Sequence, residues 1–190
     1  MDYEEERYTQ ETSKVWFEDH KVNYGFDFPN LPYYIDSDVK MTESMAILRH
    51  IARKNKPELL GKDLAEKAKF ENLFFVFSNW KIDLGTHCYK DNHEELKAKL
   101  VEGNNKKLDQ LEKVVGGAWL AGENFTVADI LAFDVFEILL TIDPSGLDSY
   151  KNVAAWRQRF AEQDWYKAYV ASGKIPEYLN APGYAKINNK

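Results

Sequence analysis

The sequence has very little of what disulfides, metal sites and phosphate loops need. It holds one cysteine, Cys88, so an internal disulfide cannot form, which fits a protein of a reducing compartment. The four histidines, at positions 20, 50, 87 and 93, show none of the spacings of a metal site, and we expect no metal. A glycine-rich phosphate loop and a Gly-x-Ser-x-Gly elbow are also missing, which argues against nucleotide-dependent enzymes and α/β-hydrolases.

Excess positive charge and long apolar runs are missing as well. Lys and Arg number 25 against 31 Asp and Glu, a net charge of −6, so no basic field would attract nucleic acid or anionic lipid. No apolar run approaches the ~20 residues of a membrane span, and the acidic N-terminus is unlike a signal peptide. We therefore expect a cytoplasmic protein that binds neither nucleic acid nor membrane. With 44% hydrophobic and 14% aromatic residues, it can form a sizeable core.

The segment from residue 26 to 54 is the densest in local signals. Strand formers at 33–35 and an apolar run at 39–41 flank polar turn residues, which predicts a short hairpin. A helix then starts at 42–44, where the first backbone N–H groups have no partner and an anion is favoured. Pro32, at the entrance of the first strand, is a candidate for a cis bond that turns a backbone edge outward. Both a peptide-binding edge with a carboxylate socket and an ordinary capped surface hairpin fit this pattern.

Two shorter elements are predicted in the part of the chain before this segment. Tyrosines mixed with glutamates at residues 3–8 predict an edge strand. A short helix is predicted from Ser13, as its cap, to Lys21, with Trp16 and Phe17 as apolar anchors.

Only helices are predicted beyond the break at residues 55–61. The clearest helix start is at Thr126, whose side chain and that of Asp129 can form a capping box. Strands mixed with helices, followed by helices alone, indicate a small α/β lobe at residues 1–56 joined to an all-α lobe at residues 63–190. The predicted helices cover about 63–89, 92–115, 126 to the turn at 143–146, 153–162 and 165–172.

Several ordered segments make a family resemblance specific. They read Asp27-Phe28-Pro29-Asn30-Leu31-Pro32-Tyr33, Glu43-Ser44, Ala46-Ile47-Leu48-Arg49, Cys88-Tyr89, Trp119-Leu120-Ala121-Gly122 and Phe125-Thr126-Val127-Ala128-Asp129. In this order they resemble mu-class glutathione transferases over nearly the whole chain. The resemblance implies a thioredoxin-like glutathione-binding lobe followed by a helical bundle. It also implies conjugation of reduced glutathione to small apolar electrophiles, a detoxification reaction, in a homodimer without cofactor.

The resemblance implies roles for individual residues toward glutathione. Leu31, beside the presumed cis Pro32, would pair its backbone with the cysteinyl part, and Glu43 and Ser44 would meet the γ-glutamyl end. The family usually has Gln where Glu43 stands. Further matches concern the glycyl end of glutathione, the partner subunit's site, the second-substrate site and the dimer interface. Trp16, Lys21 and Asn30 match family residues near the glycyl end, and His20 competes with Lys21 for its role. Asn79 matches an aspartate that reaches into the partner's site, and Tyr89 matches the second-substrate site. Phe28 and Arg49 match the dimer interface.

One family element has no match in this sequence. Family members carry a strand and a helix before the segment that matches residues 3–5, and that strand ends in Gly-Tyr-Trp, whose tyrosine stabilises the glutathione thiolate. The resemblance therefore implies no catalytic residue here and an incomplete thioredoxin-like lobe. We expect the 190 residues to conjugate glutathione far more slowly than the same chain preceded by that strand and helix. The alternative is a non-catalytic glutathione-binding, ligand-binding or structural protein of the same fold.

Overall fold

The chain consists of two compact units that divide between Lys54 and Asn55. The computed structural model describes residues 3–9, 11–177, 179–181 and 183–188. Within those ranges, no helix combines the length and the apolar character that a bilayer crossing requires.

The first unit contains short helices, a β-hairpin and one longer helix. The two strands pair antiparallel, with Tyr33 opposite Thr42 and Ile35 opposite Lys40. The predicted hairpin is confirmed, although its second strand lies one residue later than expected. The elements are α1 (Ser13–Val15), a π-helical turn (Trp16–His20), α2 (Lys21–Asn23), β1 (Tyr33–Ile35), β2 (Lys40–Thr42) and α3 (Ser44–Asn55).

An aromatic cluster forms the core of this unit. Trp16 is only 3% exposed and stacks on Tyr33, with ring centroids 5.9 Å apart. The ring of Tyr8 lies 5.6 Å from that of Trp16. Stacked and tilted rings at these separations add to the stabilisation from burial. The cluster comprises Tyr8, Trp16, His20, Tyr24, Phe26 and Tyr33.

Three predictions for the start of the chain are wrong. Ser13 is the first helical residue of α1 and not its cap, because Thr12 occupies the N-cap position. The described residues 3–8 form no strand. Instead, the hydroxyls of Tyr8 and Tyr33 both donate to Glu6 Oε2, at 2.8 and 2.6 Å, which draws this segment toward the aromatic cluster. Phe17 is 60% exposed and is not an anchor, whereas Trp16 is the buried residue of this π-helical turn.

The second unit is built around one nearly buried helix. Eleven of the 16 residues of the third long helix of this unit, α6 (Val127–Ile142), are buried, which places it at the centre of the unit. The predicted helix bounds of this unit are correct to within two residues. The elements are a 3-10 turn (Pro57–Leu60), α4 (Leu64–Cys88), α5 (His93–Val114), α6 (Val127–Ile142), α7 (Lys151–Ala161) and α8 (Asp164–Ala171).

The start of α6 is fixed by the buried carboxylate of Asp129. The predicted capping box with Thr126 is present, and the Thr126 N–H donates to Asp129 at 2.9 Å. The same carboxylate accepts from the N–H of Leu120 and from Nε1 of Trp156, both at 2.9 Å. Burial raises the pKa of Asp129, and these hydrogen bonds oppose that rise. A small α/β unit followed by this helical unit confirms the predicted fold class.

Candidate functional site

The hairpin of the first unit brings two predicted segments to one end, which we call the strand–helix corner (residues 31–32 and 43–44). The Leu31–Pro32 bond is cis, as predicted. Because Tyr33 pairs with Thr42 in an antiparallel register, the residues just before β1 lie beside the residues just after β2. Leu31, Glu43 and Ser44 are all exposed. The corner therefore offers a backbone edge and a helix start on the same surface.

The start of α3 is open to an anion. The Glu43 carbonyl accepts from the N–H groups of Ala46 and Ile47, both at 2.9 Å, so Glu43 occupies the N-cap position. The next N–H groups, of Ser44 and Met45, have no intrahelical acceptor and lie at the positive end of the helix dipole. Glu43 has φ 72°, a left-handed conformation that stores strain in a residue other than glycine.

One hydrogen bond joins the loop before β1 to the hairpin, and a second stabilises the loop internally. The buried Thr42 side chain donates from Oγ1 to the Phe28 carbonyl at 2.7 Å. Asn30 accepts the Leu31 N–H on its Oδ1 at 2.9 Å. The loop backbone is held while the Phe28 ring stays 81% exposed. Arg49, the other predicted interface residue, lies half-buried on α3.

Besides Asn30, the three other residues considered for the glycyl end differ in how many of their donors are already engaged in hydrogen bonds. His20 is committed to the aromatic cluster, with Nδ1 2.6 Å from the Tyr8 hydroxyl and its ring stacked 4.4 Å from that of Tyr24. Lys21 Nζ lies 5.6 Å from the centre of the Phe17 ring and forms no ion pair within the described residues. The indole N–H of the buried Trp16 likewise has no hydrogen-bond partner in the described part of the chain. Lys21 and Trp16 thus keep donors available that His20 does not.

Sequence reasoning missed the anionic centre of this region, Glu6. Hydrogen bonds from Tyr33 and Tyr8 lower the pKa of Glu6, so that it carries a negative charge near neutral pH. Burial, above all, raises the pKa of Tyr8 to about 12 and also raises that of Tyr33. Both phenols therefore remain neutral donors that hold Glu6 beside the cluster. The spacing of two between Glu6 and Tyr8 is the local signal, although tyrosines mixed with charges in this segment predict an edge strand.

The two predicted residues of the second unit lie far apart, Asn79 on α4 and Tyr89 just after it. Asn79 is exposed, and Tyr89 follows the helix ten positions later, about 15 Å along the axis. The Tyr89 hydroxyl accepts from the Ala181 N–H at 2.9 Å, so the C-terminal segment is tied to the end of α4. Next to it, Cys88 is fully buried, and burial raises the pKa of its thiol, which makes it a poor nucleophile. Within the ranges that the structure describes, no group of His, Cys, Asp and Glu could hold a metal ion.

Comparison with known proteins gives consistent matches. The model of the glutathione S-transferase N-terminal domain matches residues 1–53, and that of the C-terminal domain matches residues 44–164. Human glutathione S-transferase Mu 3 is 34% identical over 195 residues, which covers 99% of this chain and 82% of that protein. Chicken glutathione S-transferase 2 is 36% identical over 174 residues, which covers 90% of this chain and 77% of that protein.

Solved structures agree with these matches. The structure of the glutathione S-transferase Blo t 8 superposes with a TM-score of 0.78 at 29% identity, covering 88% of this chain and 80% of that one. A pi-class glutathione S-transferase of Onchocerca volvulus gives a TM-score of 0.76 at 22% identity, covering 95% and 86% of the two chains. The second likeness concerns the fold alone.

Proposed function

The chain belongs to the glutathione S-transferase family, and from this membership we propose that it transfers glutathione to small apolar electrophiles. In this reaction the glutathione thiol loses its proton, its sulfur forms a bond to an electrophilic carbon, and a leaving group such as chloride departs. The observation that carries the proposal is the strand–helix corner, where the cis Leu31–Pro32 bond lies beside the open start of α3. Reduced glutathione and a cytosolic setting fit the lone, buried Cys88 thiol.

The backbone edge at Leu31 is the proposed partner of the cysteinyl part of glutathione. An extended peptide laid against this edge can donate its N–H to the Leu31 carbonyl, as an added strand does. The Leu31 N–H, now bonded to Asn30 Oδ1, would exchange that acceptor for the peptide carbonyl. The exchange replaces one hydrogen bond by another and releases the Asn30 side chain, whose amide can then donate to the glycyl carboxylate.

The two charged ends of glutathione have separate proposed partners. The γ-glutamyl carboxylate fits the Ser44 N–H and hydroxyl, where the dipole of α3 adds to the attraction. The γ-glutamyl ammonium can pair with the Glu43 carboxylate. The glycyl carboxylate can accept from Lys21 and from the Trp16 indole, whereas His20 is already bonded to Tyr8.

Further residues are proposed to form a homodimer interface, to contact the electrophile and to contribute to the partner's glutathione site. The Phe28 ring is large, apolar and 81% exposed, and we propose that it is buried in a second copy of the chain, with Arg49 at the same homodimer interface. Tyr89 is the proposed contact for the electrophile. Asn79, exposed on α4, is proposed to contribute to the glutathione site of the partner subunit.

Conjugation of glutathione to 1-chloro-2,4-dinitrobenzene, followed by absorbance, tests the transfer reaction. We expect product to form above the uncatalysed rate, in proportion to protein concentration and saturably with glutathione, and S-methylglutathione should inhibit it by occupying the same site. A rate equal to that of buffer at every glutathione concentration would contradict the transferase function. If glutathione bound but no product formed, the strand–helix corner would remain the proposed glutathione-binding site and the transferase activity would be rejected.

A further inference from the structure

Two tyrosines set the direction of the Trp16 indole, whose N–H is the donor proposed for the glycyl carboxylate of glutathione. The indole ring stacks on Tyr33 with the two planes 10° apart, and it is tilted by 57° against the ring of Tyr8. Only 3% of Trp16 is exposed, so a ligand can reach its N–H only while the ring keeps one orientation. Whatever fixes the two tyrosines therefore also fixes this donor.

One carboxylate holds both tyrosines. Glu6 Oε2 accepts from the Tyr33 hydroxyl at 2.6 Å and from the Tyr8 hydroxyl at 2.8 Å, and the two hydroxyl oxygens lie 3.3 Å apart. These hydrogen bonds lower the pKa of Glu6, which is therefore ionised near neutral pH. Hydrogen bonds to an ionised acceptor are shorter and about twice as strong as those between neutral groups. We call this arrangement the Glu6 clamp (Glu6, Tyr8 and Tyr33).

The neighbouring charged groups leave the Glu6 carboxylate to the tyrosines. Arg7, the cation next to it in the sequence, pairs with Glu5 at 2.7 Å. His20 Nδ1 lies 3.5 Å from Glu6 Oε1 and 2.6 Å from the Tyr8 hydroxyl oxygen. Because Tyr8 donates its only hydroxyl proton to Glu6, His20 is the donor to Tyr8 and stabilises the clamp there.

We propose that Glu6 is a positioning residue for glutathione binding, which directs the Trp16 N–H toward the glycyl carboxylate through Tyr8 and Tyr33. This role rests on the proposed function, and it adds a residue that acts on the ligand only through another. Glu6 has the same charge as the glycyl carboxylate, so it acts through the indole and not by contact. A donor that is already oriented loses little conformational freedom when the ligand binds, and it therefore contributes more to affinity.

Isothermal titration with two ligands separates positioning from a general loss of structure. Reduced glutathione carries the glycyl carboxylate, and glutathione monoethyl ester carries an uncharged ester in its place. Glu6→Ala should weaken binding of reduced glutathione at least about fivefold but leave the affinity for the ester unchanged, because the ester has no carboxylate for Trp16. Glu4→Ala makes the same charge change at an exposed position of the same segment, and it should bind both ligands like wild type.

Two further variants test the route through the indole. Trp16→Phe keeps an aromatic ring but removes the N–H, and in that background Glu6→Ala should have no further effect on the affinity for reduced glutathione. Glu6→Gln keeps one acceptor oxygen without the charge, so it should restore part of the affinity that Glu6→Ala loses.

Four outcomes would overturn the role of Glu6. Equal affinities of wild type and Glu6→Ala for reduced glutathione would reject this role alone and leave the proposed function in place. Equal losses for reduced glutathione and its ester would show a general effect on the fold of this unit. Additive effects of Glu6→Ala and Trp16→Phe would show that Glu6 does not act through the indole. Absence of saturable glutathione binding by wild type would reject the proposed function and this role with it.

Discussion

Asp36 is the residue that ties the hairpin to the last turn of α3. Its Oδ1 accepts from the N–H groups of Asp38 and Val39, at 2.8 and 2.9 Å, and so closes the turn between β1 and β2. Its Oδ2 accepts from Lys54 Nζ at 2.7 Å and from the Tyr34 hydroxyl at 2.8 Å. These hydrogen bonds, that from Lys54 first, hold the pKa of Asp36 well below its usual range. The strand–helix corner depends on this hairpin, so Asp36 supports the site from outside it.

The lowered pKa of Asp36 makes stability depend on pH in a defined direction. The contribution of the ionised carboxylate is present above its unfolded pKa of about 3.9 and is lost as pH falls through the lower folded value. Asp36→Asn keeps the side-chain oxygen but removes the charge, and it should lower the urea midpoint at pH 7. The difference from wild type should shrink toward pH 2. Asp27→Asn, at an exposed aspartate, is the control, and equal midpoints for wild type and Asp36→Asn at pH 7 would contradict this role.

At the residue scale, the sequence predicted which side chains matter better than it predicted their partners. The cis bond at Pro32 follows from a proline at a strand entrance, which is a local signal. That Asn30 accepts the Leu31 N–H, or that His20 is engaged by Tyr8, depends on how the loop and the cluster pack. Trp16 and Phe17 are equally apolar neighbours, and only packing decides that the first is buried and the second exposed.

Among the elements, α6 is the one whose start is most strongly specified. Thr126→Ala should destabilise the second unit by about 0.5–2 kcal/mol, the usual loss for an N-cap. Asp129→Ala should cost more, about 3 kcal/mol or above, because the N–H of Leu120 and the indole of Trp156 would both lose their acceptor. Urea unfolding measures both values. Thr141→Ala, near the other end of α6, is the control, and an unchanged unfolding curve for Thr126→Ala would rule out the capping role.

Element prediction succeeded where the determinants are local and failed where they are not. The helices of the second unit follow from caps and apolar periodicity within each segment, and their bounds are correct to within two residues. A strand at residues 3–8 needs a neighbouring strand as a partner, and tyrosines mixed with glutamates cannot specify one. In the folded chain, hydrogen bonds from Tyr8 and Tyr33 to Glu6 decide the course of that segment instead.

At the scale of the whole molecule, Phe28 tests the proposed homodimer. Exposure of 81% of a phenylalanine on a loop held in place by Thr42 is unfavourable unless a partner covers the ring. Phe28→Ser should shift the dimer toward monomer. Phe17→Ser removes another exposed phenylalanine, 60% exposed, that has no proposed interface role, and it should leave the mass unchanged. Sedimentation velocity at micromolar concentration gives the masses, and one mass shared by wild type and both variants would exclude Phe28 from the interface.

The central claim for the whole molecule is that glutathione binds at the strand–helix corner with its γ-glutamyl carboxylate on Ser44. Isothermal titration of reduced glutathione into wild type, Ser44→Ala and Ser37→Ala tests it most directly, because Ser37→Ala removes an exposed hydroxyl from the hairpin turn and leaves the start of α3 intact. We predict saturable binding by wild type, the same affinity for Ser37→Ala, and an affinity about tenfold weaker for Ser44→Ala, as expected for the loss of one hydrogen bond to a charged group. Equal affinities for Ser44→Ala and wild type, or no saturable binding by wild type, would contradict the claim.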